Sequence, residues 1–172
     1  MDKECKDTFE DIVSVWPFAK GEIAYQLPYN VRLRTLQLHH LGLTDGGTLS
    51  ALTADRPYYT IGEDYQSDNS VELEERKSIL KSSTKYSESG RRFDVSLTLQ
   101  VVHNSRLSLS LMDHIESDPS DFLVLIASGE YLLVRTDELT YRCKSEEQFG
   151  NTYTQKLTIT ASCYNGIQRI EV

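Results

Sequence analysis

The chain has 172 residues, 39% hydrophobic and 26% charged, with 26 acidic against 18 basic side chains and a formal charge of −8. That length suits one domain, residues 1–172, hiding about 70% of the surface its unfolded chain exposes, and the composition is ordinary for a soluble globular protein. The negative balance argues against sequence-specific nucleic-acid binding, which depends on clustered Lys and Arg, and no run nears the roughly 20 apolar residues that span a bilayer.

The first residues, Met1 to Asp7, carry mixed charge and lead into no signal-peptide core, so synthesis in the cytoplasm is expected. Phe9, Ile12, Val13 and Trp16 fall at i, i+3, i+4 and i+7. That spacing predicts a short amphipathic helix, capped by Asp7 or Thr8 and ended by Pro17. Its stripe docks either on its own core or on a neighbouring subunit. Ile23, Tyr25 and Leu27 then alternate up to Pro28, and Val31 and Leu33 continue a strand-like pattern. The phase slips at Leu36 and Leu38, which predicts a bulge or break near Arg34-Thr35. His39 and His40 read as adjacent strand positions facing opposite ways, a geometry that cannot hold one metal ion. Thr44-Asp45-Gly46-Gly47 reads as a turn.

Residues 50–70 read as a long polar loop carrying Tyr58, Tyr59 and Tyr65. Rings in such a loop either reach a partner or pin the loop to its own domain. Asp64, Asp68 and Asn69 lack the spacing and the glycine of a calcium loop. From Val71 to Tyr86 two readings stand. Glu72 and Arg76 lie four apart, as on a helix, but Ser82-Ser83-Thr84 is poor helix material and favours a long, mostly solvated hairpin arm. Such an arm is weak alone and gains stability on another subunit.

The clearest strand runs over residues 92–102. Phe93, Val95, Leu97, Leu99 and Val101 share one face, opposite Asp94, Ser96, Thr98 and Gln100. Leu107, Leu111, Met112 and Ile115 then predict a helix, preceded by His103-Asn104-Ser105 and ended by Asp118-Pro119. Two apolar runs, 122–127 and 131–134, flank Ser128-Gly129 and predict a hairpin buried on both faces. Residues 136–151 read as a charged connection with a possible short strand at 139–141. A last alternating strand covers 153–163, Asn165-Gly166 makes a turn, and 167–172 reads as a short tail. The fold class is therefore α+β, mainly β: a β-sandwich or partly open β-barrel with one packed helix, a long hairpin arm and a long loop. Residues 1–70 supply N-terminal strands, helix and loop, 71–163 the core sheet with its helix, and 164–172 the tail.

No phosphate loop, nucleophile elbow, zinc-ligand pair or dinucleotide fingerprint is present, so no catalytic, cofactor-binding or metal residue is nominated. Cys5, Cys143 and Cys163 have neither metal nor disulfide spacing, and Cys163 reads as a small buried hydrophobe. Nor do His39, His40, His103 and His114 show ligand spacing. A protein without a catalytic step is the main reading. The alternatives are a small-ligand or peptide-binding β-domain rimmed by the tyrosines, or a hydrolase or transferase assembled from His103, His114 and distant carboxylates.

The order of polar hairpin arm, strand, helix, buried hairpin and final strand covers residues 71–162. It is carried by Gly90-Arg91-Arg92-Phe93 through Val102, Leu107 to Ile115, Phe122 to Val134, and Gly150-Asn151-Thr152-Tyr153 through Cys163. This pattern resembles tail structural proteins of tailed bacteriophages (tube, terminator or adaptor type); the first seventy residues lie outside it. The resemblance implies a ring of copies, with a hexamer favoured, that contacts adjacent tail or connector proteins. It also implies a place in the virion, no cofactor, and an acidic lumen that repels DNA. Trp16, Tyr58, Tyr59, Tyr65, Lys81 and Tyr86 are the candidate subunit contacts.

Overall fold

The computed structural model describes residues 6–28, 31, 33–43, 48–62, 64–65, 69–88, 90–102, 106–149 and 153–171. Among them twelve strands join one sheet. In chain order these are β1 (Lys6–Phe9), β2 (Ile12–Ala19), β3 (Thr35–Gln37), β4 (Tyr58–Ile61), β5 (Ser70–Leu73) and β6 (Ile79–Ser87). They continue as β7 (Gly90–Val101), β8 (Ser120–Ile126), β9 (Tyr131–Val134), β10 (Arg142–Phe149), β11 (Tyr153–Cys163) and β12 (Ile167–Glu171). Two helices, α1 (Leu49–Thr53) and α2 (Arg106–Ser117), and a 3-10 turn at Leu38–Leu41 complete the set.

β7 is the branch point. Its one edge pairs with β11, which pairs in turn with β10. Its other edge pairs first with β6 and then, at Val101, with β5. The corner between β5 and β6 contains Arg76 in the left-handed region at φ 61. From β6 the sheet ends at β1, while from β5 it continues through β4, β2, β8, β9 and β12 to β3. Val95, Leu97, Leu99 and Val101 of β7 share one buried cluster with Leu157 and Ile159 of β11, and with Phe122, Val124, Leu132 and Val134 of β8 and β9. Strands far apart in the ladder thus face each other, so the sheet curls into a partly open barrel. Leu111, Met112 and Ile115 of α2 pack into that cluster, and each such side chain contributes about 1.5–3 kcal/mol on burial.

A second cluster covers the other face of the same hairpin. Trp16 and Phe18 of β2, Leu123, Leu133 and Ile170 pack under Ile23, Leu36, Leu41 and Leu49. The β8–β9 hairpin is therefore dry on both sides, which is why its sequence is a continuous apolar run rather than an alternating one.

The sequence reading needs correction at several elements. Residues 7–16 are not helix: they hold the end of β1, a break at 10–11 and the start of β2. Ile12, Val13 and Val15 are β-branched and suit a pleat, and Ile12, Val15 and Trp16 divide between the two clusters. Pro17 fits because its carbonyl accepts from Arg56 Nη1 on the side away from the β8 ladder. In an extended chain the missing N–H points that same way, so the ladder loses no donor. The alternation of Ile23, Tyr25 and Leu27 belongs to an irregular segment lying on the second cluster, and the strand beyond the phase slip begins at Thr35. Residues 50–70 are not one long loop, since they contain most of α1 and all of β4, which pairs with β2 and β5. The hairpin arm is β6 with β7, not β5 with β6. The charged connection at 136–151 contains the whole of β10, while residues 139–141 are a turn and its exit. The tail is β12, paired with β9 and parallel to β3. The 44–47 turn and residues 103–105 lie outside the described residues.

Candidate functional site

Two features of the sheet are left open to a partner. The first is the arm. β6 and β7 stay paired out to Ser87↔Gly90, whereas the β11–β7 ladder ends at Phe93. The end of the arm thus extends past β11, with Tyr86 63% exposed beside it. The second is β10. Among the described residues its ladder runs only to β11. Cys143 is half-buried and every other residue of the strand is exposed. Phe149 closes the strand at 79% exposure. An eight-residue strand whose ladder among the described residues lies on one side is a template for pairing with another strand.

Strand register gives the outer face of this part of the sheet a regular pattern. Thr8, Lys81, Ser96, Thr160 and Arg142 lie in one row across β1, β6, β7, β11 and β10. Ser83, Asp94 and Ser162 form the next row, and the Ser162 and Asp94 side chains hydrogen-bond at 3.2 Å. These two rows floor an open trough of about 530 Å³. Lys81, Arg142, Lys144 and Lys156 outnumber Asp94 and Glu146 on this face. Across the core, α2 presents Asp113 and Glu116 to solvent, followed by Asp118. A chain of net negative charge therefore has a cationic sheet face and an anionic helix on opposite sides.

The densest group of buried ionisable side chains is elsewhere. Asp121 on β8 accepts from the Thr136 N–H at 2.9 Å, the Tyr25 hydroxyl at 2.9 Å and Lys20 Nζ at 2.5 Å. Lys20 also reaches the Thr136 carbonyl. The Arg135 guanidinium lies 4.0 Å over the Tyr25 ring. Burial, with Asp121 beside it, drives the Tyr25 hydroxyl well above its usual range, so it remains a donor. These groups border a cavity of about 390 Å³. The Cys163 thiol beneath the sheet is pushed up to about 12 by burial and is held neutral. Three donors occupy the Asp121 carboxylate, which fastens the segment after β2 onto β8 and β9; the arrangement serves as a latch.

The sequence-nominated residues separate into two groups. Lys81 and Tyr86 lie exposed on the arm. Trp16, by contrast, is stacked on Tyr58 at 5.1 Å and tilted against Tyr131 at 6.2 Å, inside the second cluster. Tyr59 is fully buried and is core, not contact surface. Tyr65 is half-buried. The tyrosines therefore do not form one rim. His39 and His40 face each other at 4.1 Å on the 3-10 turn instead of pointing apart from a strand. Among the described residues no three metal-ligating side chains converge. His114 is exposed on α2, and His103, Asp68 and Cys5 lie outside the described residues.

The β10 edge escaped the sequence reading because its residues alternate in nothing but backbone direction. A large apolar Phe149 at the end of a charged run was the available signal. No helix among the described residues is long and apolar enough to cross a membrane. No family model matches the chain, and no curated protein or solved structure matches it either.

Proposed function

We propose that the protein is a structural subunit that bonds to copies of itself and to neighbouring proteins in a ring or tube of a phage tail or its connector to the head. In this reading it carries no catalytic step. The observation that supports it is the open β10 edge ending at the exposed Phe149. Backbone pairing to an edge supplies affinity and the flanking side chains supply selectivity. The same surface on every copy, met by a different surface on the next, is what closes a ring. The cationic sheet face and the anionic α2 lie on opposite sides, which suits a head-to-tail contact. The run of strand, helix, buried hairpin and closing strand over β7, α2, β8, β9 and β11 is the part of the chain on which the resemblance to tail proteins rests.

Sedimentation and negative-stain microscopy of the full chain test this, alone and co-expressed with its genomic neighbours. The expected result is a closed ring or tube that Phe149→Asp weakens while the monomer stays folded. A monomer at high concentration in both preparations, with no ring by microscopy, sinks the reading.

A further inference from the structure

Where the curled sheet almost closes, its β3–β12 end approaches the β6–β7 arm. One side is the base of the arm, which contributes Ser82 from β6 and Arg91 and Phe93 from β7. The other is the β3–β12 end, which contributes Arg34, Thr35, Ile167 and Arg169, with Asn165 from the turn before β12. Between them lies a cavity of about 370 Å³. That volume falls within the range of about 300–1,000 Å³ typical of small-molecule sites, which favour the mouths of barrels.

Its described lining is rich in guanidinium groups. Three of its lining residues are arginines, and none of the described lining residues is Asp or Glu. The Glu130 carboxylate lies at 3.7 Å from Arg169, but both groups are largely exposed, and such a pair contributes little. The walls are fixed. Arg169 N–H donates to the Arg34 carbonyl at 2.9 Å and Gln168 Nε2 to the Leu33 carbonyl at 2.7 Å, tying β12 to the start of β3. Across the gap Gly166 lies so close to the Phe93 ring that a Cβ there would sit 3.0 Å from it. The arm and the turn are in direct contact, which holds Arg91 opposite Arg34 and Arg169 across the cavity.

Guanidinium forks recognise planar or tetrahedral oxyanions bidentately, more strongly than a lone ammonium does. The structure assigns this cavity to a compact anion bearing carboxylate or phosphoryl groups, gripped by Arg34 and Arg169 with the Thr35 and Ser82 hydroxyls beside them and Arg91, over the Phe93 ring at 5.3 Å, on the facing wall. The anion comes either as a free small molecule or as an acidic side chain of a second copy of this chain. No β10 residue is among the described lining residues, so the site is separate from the edge proposed for assembly.

Calorimetry on the full chain at low salt, with inorganic pyrophosphate and with citrate as probes, tests the assignment. The expected result is saturable one-site binding by at least one probe. Arg34→Gln with Arg169→Gln should weaken it more than tenfold. Arg142→Gln, a cation on the other face, and Phe149→Asp should leave it unchanged. Circular dichroism of the double variant checks that it folds. A sedimentation arm separates the sources: if pyrophosphate dissociates wild-type oligomers and the double variant fails to form them, the natural ligand is a carboxylate of the neighbouring copy. If oligomerisation ignores both, it is a free anion. No saturable binding to either probe, or equal weakening by Arg142→Gln, overturns the assignment.

Discussion

The Tyr25 hydroxyl donates to Asp121 Oδ2 at 2.9 Å, joining residues 96 positions apart in the chain. With Lys20 and Thr136 on the other oxygen, that carboxylate holds the segment following β2 against the barrel. Asp121→Ala leaves buried donors without their acceptor and should cost about 3–5 kcal/mol. Tyr25→Phe removes one hydrogen bond and should cost about 1 kcal/mol. Urea unfolding checks both, and hydrogen exchange should place the local loosening in residues 20–27. Equal losses for the two variants would show that the latch does not centre on Asp121.

Gly166 sits at φ 65, with the Phe93 ring where a side chain would begin. Gly166→Ala combines left-handed strain with a ring that must move, an expected cost on the order of 1–3 kcal/mol. Thermal unfolding measures it. Gly129, also left-handed but with open space around it, is the control: Gly129→Ala carries the backbone strain alone and should cost less.

The 3-10 turn should loosen as pH falls. His40 Nδ1 accepts the Gln37 N–H at 3.0 Å, so that nitrogen is unprotonated. Burial, then the adjoining His39 ring, lowers the His40 pKa from its ordinary 6.5. The folded state therefore binds fewer protons than the unfolded chain in this window. The stability contribution is complete above pH 6.5 and fades as pH falls through the lowered folded value. NMR titration should show His40 ionising below 6.5 together with loss of the Gln37 amide protection, and His40→Gln should abolish that loss.

Cys163 is fully buried and its thiol is raised to about 12. The thiolate is the reacting species. Alkylation at pH 8 followed by peptide mapping should label Cys163 only at the rate of global unfolding. Labelling faster than unfolding, measured in the same buffer, would contradict the burial.

The elements that a hydrophobic period could betray were legible. Val95 to Val101, Leu111 to Ile115, the 122–134 hairpin and Leu157 to Cys163 each bury one face, or both, and so record the core in their residue types. Misreadings arose where another influence set the pattern. Phe9 to Trp16 matched a helix because β2 feeds two clusters, so its apolar residues follow neither a strict two-residue nor a one-sided rule. β10 buries almost nothing, and only its backbone ladder to β11 makes it a strand. β12 is too short for periodicity to register. Of the candidate contacts, Lys81 and Tyr86 are exposed on the arm. Tyr59 was nominated from apparent loop context, which disappeared once β4 formed between β2 and β5. The arginine cavity draws on Arg34, Arg91 and Arg169, residues far apart in sequence that only the closing of the sheet brings together.

The parallel ladder of β3 with β12 has a kinetic side. Beside it, the Gln168 side chain hydrogen-bonds Leu33, 135 positions earlier, and β2 finds β8 only after about a hundred intervening residues have been made. Pairings of such long range are slow to form, and they leave strand edges bare while synthesis continues. Nascent chains of this protein should thus spend an appreciable time half-closed, and the yield of native subunits should depend on how well those edges are shielded until residues 167–171 arrive.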